Sequence, residues 1–182
     1  MKPQKYLIFD AGSIISLTMN GLLPILEKLK QDFHGEFIIT PEVKREVIDK
    51  PMKIKKYQFE AIRVKNLLNK KVIKLSSDFV PDQKLSRETV NIMKTANNLF
   101  SAFREKVKLI QNGEASCLAF SKLCNTENVI VTDERTVRLI TESPENLKKL
   151  MERKIHTRIT MNKITLKQLT GFKFIRSPEL LY

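Results

Sequence analysis

Residues 6–15 read Tyr6-Leu7-Ile8-Phe9-Asp10-Ala11-Gly12-Ser13-Ile14-Ile15, and the reading of this stretch decides the fold. Four apolar residues in succession, Tyr6, Leu7, Ile8 and Phe9, are rich in β-formers and too short for a buried helix. They therefore read as an interior strand of a parallel sheet. Asp10 falls where that strand ends. Gly12 and Ser13 then offer turn and N-cap chemistry for a helix whose apolar side carries Ile14, Ile15 and Leu17. The pattern sets a carboxylate at the carboxyl end of a central strand, the edge at which open α/β sheets bind their ligands.

Working outward, Leu22, Leu23, Ile25, Leu26 and Leu29 recur at helical spacing, predicting an amphipathic helix that ends near Gly35, and Phe37, Ile38 and Ile39 form a second short strand. Thr40-Pro41-Glu42 has the cap residue, first-turn proline and early acid of a helix start, with Val43, Val47 and Ile48 inward and Glu46 one turn in. A longer helix is expected over residues 53–68, a third strand over 72–75, and a further helix from Ser86 to about residue 103. Gly113 opens a compact helix with Glu114 in its first turn. Val129 to Thr132 is a fourth strand, followed at once by Asp133, which repeats the strand-then-carboxylate arrangement of Asp10. Helices follow over 134–140 and 144–154, and 159–161 reads as a last strand. Leu166, Leu169, Phe172, Phe174, Leu180 and Leu181 mark a tail packed onto the core. Strands separated by helices are what βαβ crossovers require, so the expectation is one α/β domain over residues 1–182, with extra helices at about 53–103.

The charge balance bears on partners. Lys and Arg number 33 against 20 Asp and Glu, a net charge of +13. That excess favours a polyanion, and nucleic acid is the commonest. The basic residues are scattered rather than gathered on one amphipathic helix, which disfavours a membrane surface. With no long apolar run at the amino terminus, neither a signal peptide nor a membrane span is expected, and the reading is a cytoplasmic protein. Cys117 and Cys124 are the only cysteines. Seven residues apart on one predicted helix, they are separated by about 10 Å along its axis, beyond disulfide reach. His34 and His156 show no ligand spacing with them, so a zinc site is not supported.

Asp10 and Asp133 end parallel strands, while Glu46 and Glu114 edge helices that begin at the same side of the sheet. Each acid alone has a structural explanation as a helix cap or first-turn residue. Together they form an anionic cluster that is costly unless a cation holds it. All-oxygen donors without His or Cys point to a hard ion, Mg²⁺ or Mn²⁺.

The order of these pieces resembles the PIN-domain (PilT N-terminus-like) ribonucleases. The matching residues are Phe9-Asp10-Ala11-Gly12-Ser13, Pro41-Glu42-Val43-Lys44-Arg45-Glu46, Gly113-Glu114-Ala115-Ser116 and Val129-Ile130-Val131-Thr132-Asp133. The resemblance implies a three-layer α/β/α sandwich around a parallel sheet and a metal-dependent ribonuclease activity, of the endoribonuclease kind. It carries an acidic quartet onto Asp10, Glu46, Glu114 and Asp133, with Ser13, Thr132 and Glu134 as supporting groups. Self-association as a homodimer is open to such a chain. The chemistry expected is hydrolysis of RNA phosphodiesters, with Asp10 and Asp133 as direct ligands of Mg²⁺ or Mn²⁺. Lys53, Lys55, Lys56, Lys70, Lys71, Lys149 and Arg153 are candidates to neutralise flanking phosphates. The rival from another class is a non-catalytic RNA-binding or scaffold domain in RNA processing or ribosome maturation. A phosphotransfer or receiver domain using Asp10 as nucleophile ranks last, because its usual companion acids are missing.

Overall fold

The computed structural model of the chain describes residues 5–103, 105–124 and 126–181. The side chain of Leu181, read above as part of the tail, lies outside the described set, as do residues 1–4. Strand β1 (Lys5–Phe9) is the middle of a five-stranded sheet. On one side it pairs in parallel with β2 (Glu36–Ile39), Ile8 opposite Ile38, and beyond β2 lies β3 (Ile73–Leu75). On the other side it pairs with β6 (Glu127–Val131), Phe9 opposite Val131, and β6 carries β8 (Phe174–Ile175) at the edge. Ile8 and Phe9 point to opposite faces of the sheet, and both are fully buried. Burial on both faces is why the strand reads as a continuous apolar run rather than an alternating one.

Between β1 and β2 run α1 (Ala11–Met19) and α2 (Leu23–Asp32). Between β2 and β3 come α3 (Pro41–Lys44), a π-helical turn at Arg45–Asp49, two 3₁₀ turns at Pro51–Lys53 and Lys55–Tyr57, and α4 (Gln58–Asn69). Helix α5 (Asp82–Asn97) packs on α6 (Asn112–Leu123), which lies against β1 and β6. Helices α7 (Arg135–Glu142) and α8 (Pro144–Ile155) follow β6. The whole is a three-layer α/β/α sandwich, as expected. Its core includes an edge-on pair, Phe9 and Phe37, with ring centroids 5.5 Å apart. Among the described residues, no helix is long and apolar enough to cross a membrane.

Three expectations are corrected. The helix predicted over 53–68 begins only at Gln58: Pro51 has no amide to extend the preceding turn, and Ile54 is extended at φ −117°, ψ 110°. The helix predicted to reach residue 103 stops at Asn97, whose side-chain oxygen accepts the Leu109 and Ile110 amides at 2.7 and 3.2 Å. Strand β4 (Phe100–Ala102) follows, pairing antiparallel with β5 (Glu105–Lys106) and β7 (Thr160–Met161) in a small second sheet. The 53–103 region is thus helix and strand together. The strand expected at 159–161 belongs to that second sheet rather than the main one, and the fifth main strand comes from the tail. Between them sit α9 (Lys163–Leu166) and a 3₁₀ turn ending at the fully buried Leu169.

Because Leu169 belongs to the same core as Tyr6 and Phe9, Leu169→Ala should cost about 2–5 kcal/mol of unfolding free energy. Urea denaturation measures this; a cost near zero would mean that the tail is only an appendage.

Candidate functional site

The strand order turns back between β1 and β6, and the crevice beyond their carboxyl ends is the standard ligand position of such sheets. The two ends are fastened together there. The Asp10 amide donates to the Val131 carbonyl at 3.0 Å. Ser13, expected to cap the helix, lies inside α1 and donates its hydroxyl to the Asp10 and Val131 carbonyls at 2.8 and 3.0 Å. Asp10 itself takes the N-cap position, extended at φ −77°, ψ 159°. Its Oδ2 accepts the Thr132 hydroxyl at 3.1 Å, and that hydroxyl accepts the Glu134 amide at 3.2 Å. Asp10 is 5% exposed. Burial raises its pKa; the Ala11 and Gly12 amides and the Thr132 hydroxyl oppose the rise, and the charge of Glu134 adds to it.

Glu46 reaches the same crevice from the segment that follows β2, which packs against α1 and α6. Thr40 caps α3 by accepting the Val43 amide at 3.3 Å, and its hydroxyl meets that of Ser116 at 2.6 Å, tying α3 to α6. The chain then widens into the π turn that carries Glu46; such turns interrupt the regular advance of side chains round a helix and recur at functional sites. The Glu46 carboxylate lies against Gly113, where a Cβ would stand 3.1 and 3.2 Å from its two oxygens. Burial raises the Glu46 pKa, the charge of Asp10 raises it further, and Lys50 and Arg45 oppose. Glu114 sits in the first turn of α6, its Oε2 accepting the Gln111 amide at 2.7 Å. Burial, with the charges of Asp10, Glu134 and Glu46, pushes its pKa up to about 7 against the pull of that amide.

The pair after β6 divides differently from the sequence reading. Asp133 turns to the tail, its two oxygens accepting the Ser177 amide and hydroxyl at 2.8 and 2.7 Å. Glu134 turns to the crevice: its charge acts on both Asp10 and Glu114, while its Oε1 accepts the Thr136 amide at 3.0 Å and caps α7. A signal for this was present in the sequence. Successive residues of an extended chain face opposite ways, so Glu134 falls on the side of Thr132, and Asp133 on the other. The groups within electrostatic reach of one another are therefore Asp10, Glu46, Glu114 and Glu134. Among the described residues none of the four forms an ion pair, and no three His, Cys, Asp or Glu side chains stand in ready metal-ligand geometry.

Of the basic candidates, Lys53, Lys55 and Lys56 are exposed on the turns before α4, and Lys149 and Arg153 are exposed on α8. Lys70 is held by Glu27 at 2.9 Å. Lys71 is exposed at φ 59°. Both cysteines are free; burial holds the Cys117 thiol well above its ordinary range and pushes Cys124 up to about 12, so neither is a nucleophile. No protein-family model, curated protein or solved structure matches this chain.

The atoms nearest to a methyl group at Gly113 would be those of the Glu46 carboxylate, the far end of a flexible side chain. Gly113→Ala is expected to leave the melting temperature within about 3 °C, since alanine is also the better helix former. Any activity of the crevice should fall about tenfold as Glu46 is displaced. Parallel melting and activity assays check this, and an unchanged activity would remove Glu46 from the site.

Proposed function

We propose that the chain is a PIN-like, metal-dependent endoribonuclease of the cytoplasm whose reaction centre is the crevice at the ends of β1 and β6. The observation that carries this reading is the convergence of four carboxylates from four segments, without an ion pair among the described residues, in a chain of net charge +13. Like charges brought together, with Asp10 buried and Glu46 and Glu114 half-buried, call for a cation. The donors are all oxygen, which fits Mg²⁺ or Mn²⁺, and Asp10, Glu46, Glu114 and Glu134 are the residues that would hold it. Such an ion, when bound, acidifies water and offers positive charge to a phosphodiester.

The chain's own groups have distinct tasks. Thr132 fixes the Asp10 carboxylate through Oδ2, and Ser13 fixes the backbone beneath it. Glu114, with a pKa of about 7, can hold or release a proton at neutral pH while its Oε2 stays on the Gln111 amide. Asp133 anchors the tail to the end of β6 through Ser177. The exposed lysines before α4 and the basic residues of α8 meet the RNA backbone.

One observation favours the scaffold alternative: Glu114 and Glu134 both have structural work as helix caps. Cleavage of labelled RNA in Mn²⁺ decides between the two. On the nuclease reading, Glu134→Gln lowers the rate about 100-fold and Asp133→Asn by less than about tenfold, since roughly 1.4 kcal/mol separates each decade. Wild-type protein that binds RNA and never cuts it would favour the scaffold.

A further inference from the structure

A groove of about 470 Å³ opens beside the acidic crevice, between α1, the turns before α4, and α4 itself; Glu46 belongs to both. Its volume falls within the roughly 300–1,000 Å³ typical of small-ligand sites. The walls are apolar, with Ile14, Met19, Ile54 and the half-exposed ring of Tyr57. The one carboxylate in the wall besides Glu46 is that of Glu60, whose Oε2 is closed off from water with no hydrogen-bond partner. Lys50 shares the wall with Glu46, and Lys53, Lys55 and Lys56 stand on the adjoining segment; among the described residues none of these lysines forms an ion pair. Lys56 Nζ lies 5.3 Å from the centre of the Tyr57 ring, so a cation already rests near that ring.

We propose that this groove holds one unpaired guanine nucleotide of the RNA strand, with Tyr57 as its stacking surface and Glu60 as the acceptor for its Watson–Crick edge. This rests on the nuclease reading above and specifies its substrate. The charges select the occupant. Glu46 and Glu60 outnumber Lys50 in the wall and disfavour an anionic group there, whereas the unpaired lysines outside call for one. A nucleotide has that division, a neutral aromatic base with an anionic phosphate on either side. An acidic peptide would bring its carboxylates against Glu46 and Glu60, and a second copy of this face would set lysines against lysines. An ionised carboxylate only accepts hydrogen bonds, and guanine presents two donors side by side, N1–H and N2–H, to such an acceptor. Stacking on an exposed aromatic ring is the usual hold on single-stranded bases.

The test is binding in EDTA, by fluorescence anisotropy, of short labelled oligouridylates carrying one central guanosine or one central inosine, which lacks the N2 amino group. A duplex of equal length is the control. Expected for wild type is about tenfold tighter binding of the guanosine strand than of the inosine strand, and weaker binding of the duplex, in line with the worth of one bidentate base contact. Glu60→Gln should erase the guanosine preference. Tyr57→Ala should weaken binding of both strands about tenfold, while Tyr57→Phe, which keeps the ring, binds as wild type does. Equal affinity for guanosine and inosine strands, undiminished binding by Tyr57→Ala, or preference for an acidic peptide over RNA would each overturn the proposal. No metal is needed for the measurement. Groove binding without cleavage in Mn²⁺ therefore sinks the nuclease reading alone, and cleavage with no effect of these substitutions sinks the groove alone.

Discussion

Asp10→Asn is expected to abolish RNA cleavage, by a factor on the order of 10³ or more, and at the same time to make the metal-free protein more stable. The two effects have one cause. Asp10 is buried at the meeting point of β1, α1 and β6, and its charge is opposed by burial and by Glu134. Asparagine keeps an oxygen for the Thr132 hydroxyl but carries no charge, so the like-charge conflict is relieved. Each kcal/mol gained raises the melting temperature by roughly 2–4 °C for a chain of this size. A merely structural Asp10 would behave oppositely, with stability lost on substitution. Thermal melts in EDTA beside cleavage assays in Mn²⁺ separate the cases.

The second large effect is the pH dependence of the metal-free protein. Glu114 has a folded pKa of about 7, above the ordinary 4.5, and Asp10 and Glu46 are shifted the same way. The folded protein therefore binds more protons than the unfolded chain between about pH 4.5 and 7, and its stability falls as pH rises through that window. Glu36, lowered despite its burial because Lys74 and Lys30 hold it, acts in the other direction only below its ordinary pKa, outside the window. In EDTA the melting temperature should fall from pH 5 to pH 8, by an amount equivalent to about 2–4 kcal/mol if the Glu114 shift is fully expressed. Saturating Mn²⁺ should raise it more at pH 8 than at pH 5, because metal and proton compete for the same oxygens. A flat profile in EDTA would mean that the four carboxylates do not feel one another.

Much of this architecture was legible because it rests on strong local signals. The run from Tyr6 to Phe9 is apolar throughout because both faces of β1 are covered, and Asp10 then marks its end. Thr40 and Pro41 announce α3 by cap chemistry that the structure contains as written. What escaped was set by distant partners. β4, β5, β7 and β8 are two or three residues long, too short for any period, and exist because another segment offers its backbone. The end of α5 at Asn97 depends on amides that arrive twelve and thirteen residues later. The π turn under Glu46 has no local signature in its residues. At the site, the motif Thr132-Asp133 singled out Asp133, whose oxygens accept the amide and hydroxyl of Ser177. Strand alternation pointed to Glu134, but the pull of Ser177 on Asp133 comes from a tail whose path the sequence does not reveal.

The most direct measurement is cleavage of a mixed set of single-stranded and structured RNAs by wild type and Asp10→Asn, in Mn²⁺, Mg²⁺ and EDTA. Internal cutting that requires the metal and disappears in Asp10→Asn is the predicted result. RNA bound but uncut by wild type in either metal, or cutting that persists in EDTA or in Asp10→Asn, would contradict a metal-dependent centre at the ends of β1 and β6.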